Sequence, residues 1–347
     1  MAASVLLIEA GKPTQHAALV PEVLSLAEMI HHGGQHEFWT SGTTGPPKPI
    51  SFSAEQIIWS AKLSIQAFSL SEGFSALLAL PSVFVAGKMM VARALVGKAD
   101  LWYVKPSLRP FNQDLPPLDF VALTPAQIQH TLAFPEDRER LQQVKNLLIG
   151  GGTISTFLEK ELQLFPHRVF HSYGMTETLT HCALRNISPM RETYFRAHHS
   201  SISFKCQDGM LAVNYPKLTD GFLQTNDVVS MDKEGFIFLG RRDDLINLGG
   251  LKLFPATLEK KLPDAFFHGR AWFIAARSHE TWGQVPWLWI EGEDDPELRL
   301  EELSYYLSGK EKLYGYSLVP RFARTESGKI RRKESIKLSS KSIVWND

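Results

Sequence analysis

Cysteine is scarce: Cys182 and Cys206 are the whole complement of a 347-residue chain, and they lie far apart. A disulfide framework or a cysteine-based metal centre therefore has no support. Long apolar runs are missing too. No stretch approaches the length that spans a bilayer, and the opening MAASVLLIEAGKP closes its short apolar run at Glu9 with no basic residue ahead, which makes a poor signal peptide. Charge of one sign is also lacking, because Lys+Arg and Asp+Glu both total 37. Nothing in that balance draws nucleic acid or an anionic membrane surface as principal partner. Internal repeats and low-complexity tracts are absent. What remains is ordinary for a soluble globular protein, with 44% apolar and 21% charged residues. The length favours two domains over one. A cytoplasmic enzyme with no nucleic-acid or membrane partner is the expectation.

Along the chain, Pro21 opens a helix through LSLAEMIHH that Gly33-Gly34 ends. EFWTSG reads as a strand entering a glycine-rich turn. From Ser53 to Leu70, Ile57, Ile58, Ala61, Ile65 and Phe68 recur at helical spacing. FSALLALPSVF (strand), MMVARALVG (helix), DFVALTP (strand), AQIQHTLAF (helix), VKNLLIGGG (strand), STFLEKELQLF (helix) and HRVFHSYG (strand) continue an alternation that implies βαβ units and a mainly parallel sheet. After about residue 195 the pattern changes to hairpins, with Asp208-Gly209 and Glu234-Gly235 at their turns. GRRDDLINLGG is the best interdomain joint. Beyond it come a helix (ATLEKKL), two strands (AWFIAAR and VPWLWIEG), a helix around LEELSYYL and a basic tail.

The densest chemistry lies in Thr40-Ser41-Gly42-Thr43-Thr44-Gly45-Pro46-Pro47-Lys48. Between a strand and a helix, glycines let backbone N–H groups approach phosphate oxygens, and the hydroxyls and lysine add donors. A polar surface loop is the plain alternative. A Walker loop is excluded, because two prolines separate the second glycine from Lys48 and Pro49 follows it. Tyr173-Gly174-Met175-Thr176-Glu177 offers a ring to stack on a purine and a carboxylate for magnesium, or else a strand end running into a helix cap. Thr225-Asn226-Asp227 holds a bidentate acceptor, or a turn carboxylate. Gly240-Arg241-Arg242-Asp243-Asp244 and Arg324-Thr325-Glu326-Ser327-Gly328-Lys329-Ile330-Arg331-Arg332 taken singly are a charge run and a basic tail.

In this order the five strings resemble the signatures of the adenylate-forming superfamily of acyl- and aryl-CoA synthetases, peptide-synthetase adenylation domains and luciferases. The resemblance runs from about residue 36 to the end. It implies that Thr40, Ser41, Gly42, Thr43, Thr44, Gly45 and Lys48 cradle the phosphates of ATP, that Tyr173 packs on adenine, and that Thr176 contacts the α-phosphate. Glu177 would ligate Mg²⁺, Asp227 would accept from both ribose hydroxyls, and Arg241 would reach the ribose and nearby phosphate. Asp243 would be the pivot of a mobile small domain that brings Lys329 into the active site. Trp282-Gly283-Gln284 fits the pattern as well. Asn226 replaces the family's glycine, and Asn tolerates a left-handed backbone.

The implied fold is α/β. A large N-terminal domain, residues 1–242, has mainly parallel sheets, flanking helices and a β-rich segment, and a small mobile α+β domain, residues 243–347, carries the lysine. The implied reaction activates a carboxylic acid with ATP as an acyl-AMP and passes it to coenzyme A. A carrier-protein thiol is the alternative acceptor, and a non-catalytic nucleotide-binding regulator is the alternative of another class. Within the superfamily, the Gly150-Gly151-Gly152 run, LTPAQIQHTL and SYGMTETLTH are most similar to the o-succinylbenzoate–CoA ligases of menaquinone biosynthesis. The acid pocket would then involve Phe84, Val85, Ala86, Gly87, Lys88, Thr124, Gly151 and Gly152. Phe84 departs from the histidine those ligases often carry. Lys88 and Arg93 are the nearest cations for a second carboxylate, although helix-surface positions are the simpler reading of both. The phosphate loop begins at residue 40, so the family's first subdomain is expected to be mostly absent, and the surface it would cover suggests a homodimer.

Overall fold

The computed structural model describes residues 7–9, 21–40, 48–267, 269–293, 300–325 and 329–345. Eight strands form the main sheet, in the spatial order Leu7–Glu9, Asp100–Tyr103, Ser75–Leu78, Phe120–Leu123, Asn146–Ile149, Arg168–Gly174, His181–Ser188 and Arg196–Ala197. The first six run parallel and the last two antiparallel. Phe120–Leu123 is apolar and buried at every position, as a strand covered on both faces must be. The period of two sorts its side chains between two cores. Phe120 and Ala122 join Phe68, Leu78 and Met90 under the helices Ala54–Ala67 and Val85–Gly97, whereas Val121 and Leu123 join Leu77, Ile149 and Leu162 on the other face.

A four-stranded antiparallel sheet follows, from Ser203–Gln207, Met210–Asn214, Phe222–Asp232 and Gly235–Arg241. Asp208 and Gly209 turn its first hairpin with φ of 52° and 77°, the positive values that a tight hairpin turn needs. Tyr215 and Phe236 share a core with Cys182 and Ala183 of the main sheet. The last sheet has six strands, Ile246–Leu248, Leu251–Leu253, Trp272–His279, Gly283–Glu291, Gly315–Val319 and Lys341–Val344. Its core draws on residues from Ile246 to Trp345 and on none from the other sheets. No helix among the described residues is long and apolar enough to cross a membrane.

Several local expectations are corrected. The threonine-glycine loop joins two strands of a hairpin, Gln35–Trp39 and Pro49–Ser53, instead of a strand and a helix. The helix starts afterwards at Ala54, where Ser53 and Gln56 form a reciprocal cap. LEELSYYL contains a 3-10 helix, Leu300–Tyr305, and the basic tail holds the helix Arg332–Ile336 and an edge strand. Asp100–Tyr103, His181–Ser188 and the helix Pro135–Gln142 went unread. The first strand is only four residues long, and the second mixes polar and apolar residues although every one of them is buried, so neither the alternating nor the all-apolar strand pattern appears.

Candidate active site

In a parallel sheet the loops after the strands gather at one edge, and a crevice opens where the strand order reverses. Here Ser75–Leu78 sits between Asp100–Tyr103 on one side and Phe120–Leu123 on the other. A cleft of about 770 Å³ opens over the carboxyl ends of these strands. Leu80, Thr124, Gly150, Gly151, Gly174 and Met175, each at or just past a strand end, form its floor. A second pocket of about 250 Å³, beside Lys62, Gln66 and Glu72, gathers none of the residues singled out by motif.

Three lining residues, Lys48, Arg241 and Lys329, bring positive charge to the cleft. Thr40 and Lys48 line it from the hairpin, whose base is closed by Thr40 N donating to Lys48 O at 3.0 Å and Lys48 N donating to Thr40 Oγ1 at 2.9 Å. Ser41, Gly42, Thr43, Thr44 and Gly45, between these two, lie outside the described residues. Arg241 enters from the end of the four-stranded sheet, and its buried Nε has no hydrogen-bond partner among the described residues. Lys329 comes from the last sheet's territory. Its surface is open to the cleft, yet the protein packed around it disfavours the charge; that desolvation first, then repulsion from Arg241, lowers its pKa. Cations held together against their own repulsion, with an orphaned donor among them, suit a polyanion. Thr176, buried, and Glu177 line the same cleft from a short 3-10 turn after Arg168–Gly174.

Asp227 lines the cleft beside Arg241, its Oδ1 3.7 Å from Arg241 Nε. The Tyr173 hydroxyl donates to its Oδ2. Burial raises the Asp227 carboxyl, opposed by the tyrosine hydrogen bond and Arg241. Tyr173 itself does not line the cleft, because its ring lies in an aromatic cluster with Phe195, Phe236 and Phe238. The structure therefore gives it a second role, orienting the aspartate. Asn226 lies within a strand and has no positive φ, so a left-handed backbone is not what this position requires. Asp243 sits in the exposed turn after Arg241, 3.5 Å from Asn226 Nδ2 and away from the cleft.

The same cleft has an apolar wall and one further buried cation. Phe84, Val85, Ala86, Thr124 and Gly151 line it; Gly87, Lys88 and Gly152 do not. Gly87 packs where a Cβ would come within 2.2 Å of Pro81 O, so this glycine lets the helix approach the preceding loop. Lys88 turns away, donating to Glu37 O at 2.8 Å and lying 5.0 Å over the Phe38 ring. Arg93, by contrast, lines the cleft, and both residues are buried, which overturns the helix-surface reading. The helix Val85–Gly97 is apolar nearly all round, so a cation in it has no watery face to reach. That pattern was the available signal for Arg93. Its Nε donates to Ser64 Oγ at 2.6 Å and its Nη2 to Thr180 Oγ1, and no carboxylate among the described residues pairs with it. Burial lowers its pKa to about 10, which leaves it charged at neutral pH. His181 beside it, with Nδ1 3.1 Å from Thr180 Oγ1, is kept neutral by burial and then by His198 and Arg93.

The oxygen donors suit magnesium, which is held by one or two carboxylates together with substrate phosphates. Glu177 supplies such a carboxylate, and among the described residues no group of three His, Cys, Asp or Glu side chains forms a protein-only cage.

Residues 38–202 match the family model described as AMP-binding enzyme. A 2-succinylbenzoate–CoA ligase from Staphylococcus epidermidis is 26% identical over 85% of this chain and 68% of its own length, and one from Bacillus licheniformis is 28% identical over 92% and 73%. Among solved structures, an acyl-CoA synthetase (AMP-forming)/AMP-acid ligase II-like protein from Dyadobacter fermentans is 28% identical, with a TM-score of 0.60 over 94% of this chain and 95% of its own. The fold is also that of o-succinylbenzoate CoA synthetase from Bacillus subtilis in complex with its acyl-adenylate intermediate, with a TM-score of 0.72 at 23% identity over 86% of this chain and 68% of that one. With the motifs gathered around one cleft and these likenesses agreeing, residues 38–202 carry the match to the AMP-binding enzymes, and the chain as a whole is similar to AMP-forming acid–thiol ligases.

Proposed function

We propose that this chain activates 2-succinylbenzoate with ATP as an acyl-adenylate and transfers the acyl group to coenzyme A. The observation that carries the reading is a single cleft lined both by the cations Lys48, Arg241 and Lys329 and by a buried guanidinium, Arg93, that pairs with no carboxylate among the described residues. A buried charge is costly until it is paired, so Arg93 favours an acid with a second anionic group.

In the first half-reaction a carboxylate oxygen attacks the α-phosphorus, the bond to the β-phosphate oxygen breaks, and pyrophosphate leaves. Lys48, Thr176, Arg241 and Lys329 stabilise the charge on the transferring group, and Asp227, oriented by Tyr173, holds the ribose. Glu177 would hold Mg²⁺, which neutralises phosphate charge when bound. In the second half-reaction the thiol sulfur attacks the acyl carbonyl, the bond to AMP breaks, and the thiol proton passes to solvent. We read residues 243–347 as the small domain that turns about Asp243 and withdraws Lys329 between the two steps. The apolar walls at Phe84, Val85 and Ala86 exclude water from the mixed anhydride.

The test is pyrophosphate release across a panel of acids, with mass detection of the product. Acid-dependent release with 2-succinylbenzoate and a coenzyme A thioester is the expected outcome. Release with benzoates or fatty acids and none with 2-succinylbenzoate overturns the substrate, and phosphate release without any acid overturns the reaction.

A further inference from the structure

The residues from Ile246 onward meet the rest of the molecule in two places: Phe254 packs against Gly240 at the end of the four-stranded sheet, and a short helix, Thr156–Leu162, meets the segment from Lys260 to Tyr306. Ser155 caps its start by accepting from Leu158 N at 3.2 Å. The first helical N–H, which a helix cannot satisfy internally, is taken from outside: Thr156 N donates to Lys260 O at 2.9 Å. Phe157 meets Tyr306 edge to face at 5.8 Å. Lys260 Nζ lies 3.8 Å from Glu159 Oε2.

Glu159 is itself immobilised from below. Arg185, buried in the main sheet, grips it with two hydrogen bonds of 2.7 Å. Arg185 Nη2 in turn lies 3.5 Å from His171 Nδ1, and His171 Nε2 reaches Gly152 O at 3.1 Å. A carbonyl can only accept, so the Nε2 proton faces Gly152 and Nδ1 is left to accept from Arg185. Burial pushes the Glu159 carboxyl up, but Arg185 and then Lys260 outweigh it and hold it low. The carboxylate is thus a fixed charge on a rigid base, facing the segment that leads to Lys329.

We propose that the helix Thr156–Leu162 is the docking post for residues 246–345, and that Glu159 is the positioning residue at its centre, acting through Lys260 to keep Lys329 in the cleft during acyl-adenylate formation. This rests on the functional reading above. Undocking would be required before the thiol step, so the post acts on one half-reaction and not on the other.

Lys260 is half exposed and remote from the cleft, so Lys260→Glu leaves the fold intact while reversing the charge that meets Glu159. Tyr306→Ala removes the ring contact independently. Each variant is expected to slow acid-dependent ATP–pyrophosphate exchange about threefold, and the pair about tenfold, as partly exposed contacts do. Thioester formation from added acyl-adenylate stays at the wild-type rate or rises, and Lys260→Arg behaves as wild type. Trypsin cleavage at Arg241 and Arg242 quickens in the double variant, a readout that needs no activity. Equal loss in both half-reactions, or unchanged exchange and unchanged proteolysis, overturns the docking role. Wild-type protein without acid-dependent exchange overturns the functional reading instead, and the proteolysis comparison still decides the docking.

Discussion

The residues up to Arg241 and those from Ile246 onward serve the cleft in opposite ways. The first set builds the container. Strand ends, the hairpin base, the helix Val85–Gly97 and the end of the four-stranded sheet supply every described lining residue but one. The second set forms its own sheet and core, and sends in Lys329 alone. The lining groups are therefore fixed by the packing of the container, while the one cation from outside belongs to a separately packed core, the arrangement that the proposed domain rotation would use. The contrast predicts that affinity and chemistry separate by mutation.

Lys329→Ala tests the separation most severely. Acid-dependent pyrophosphate release is expected to fall about 10²–10³-fold, the usual cost of losing one transition-state donor. Affinity for ATP, measured by calorimetry, stays within about threefold because the remaining cations still hold the phosphates. Parallel loss of ATP affinity would show that Lys329 belongs to the container.

Arg93→Met probes the container's own buried cation. The KM for 2-succinylbenzoate is expected to rise about 10–100-fold, as for lost hydrogen bonds to a charged group, with little change for benzoate. A similar rise for both acids would make Arg93 a structural residue.

Acid stability draws a third distinction. Burial, as the leading cause, holds His36 at about 4, His171 at about 3 and His198 at about 4, and all three belong to the container. Unfolded imidazoles take up protons below about pH 6.5 that these folded ones refuse. Stability is therefore full above that pH and falls as pH drops toward 4, by at most about 1.4 kcal/mol per unit for each histidine. Chemical denaturation from pH 7 to 4.5 is expected to show this slope, and His171→Asn to make it shallower. An unchanged slope in His171→Asn would show that His171 is not protonated on unfolding there.

The smallest effect is expected on the container's outer surface. Glu72 pairs with Lys98 at 2.7 Å, with both side chains mostly exposed. Glu72→Ala should shift stability within about 0.5 kcal/mol and leave both half-reactions untouched. A larger loss would mean that this face is covered in solution, which light scattering would test.

Much of the scaffold is legible in the residues. The alternation of apolar runs and helical patterns from Ser53 to Gly174 appears as strands and helices in that order, because a strand buried on both faces must be apolar and a helix beside it must show its stripe. Legibility failed where burial and chemistry conflict. His181–Ser188 carries a histidine, an arginine and an asparagine, yet every residue in it is buried. Arg185 finds its carboxylate in Glu159, far away in sequence, and no local pattern announces that pairing. The same holds for the site. Motif order marks Thr40, Lys48, Thr176, Glu177, Asp227, Arg241 and Lys329, all of which line the cleft, but Lys88 and Arg93 look alike as helix residues and face opposite ways.

From the residues alone come the chemical inventory and its order: a glycine-threonine loop with a lysine, an aspartate behind a threonine, a charged joint, and a lysine near the end. Those follow from local patterns, which need only neighbours in sequence. The tertiary structure decided which groups share a cleft, that Tyr173 steadies Asp227, that Arg93 is buried with no carboxylate partner among the described residues, and that Glu159 faces Lys260. Such pairings depend on strand order and sheet packing across long separations, where the energy of a contact is settled by distance and burial and not by position along the chain.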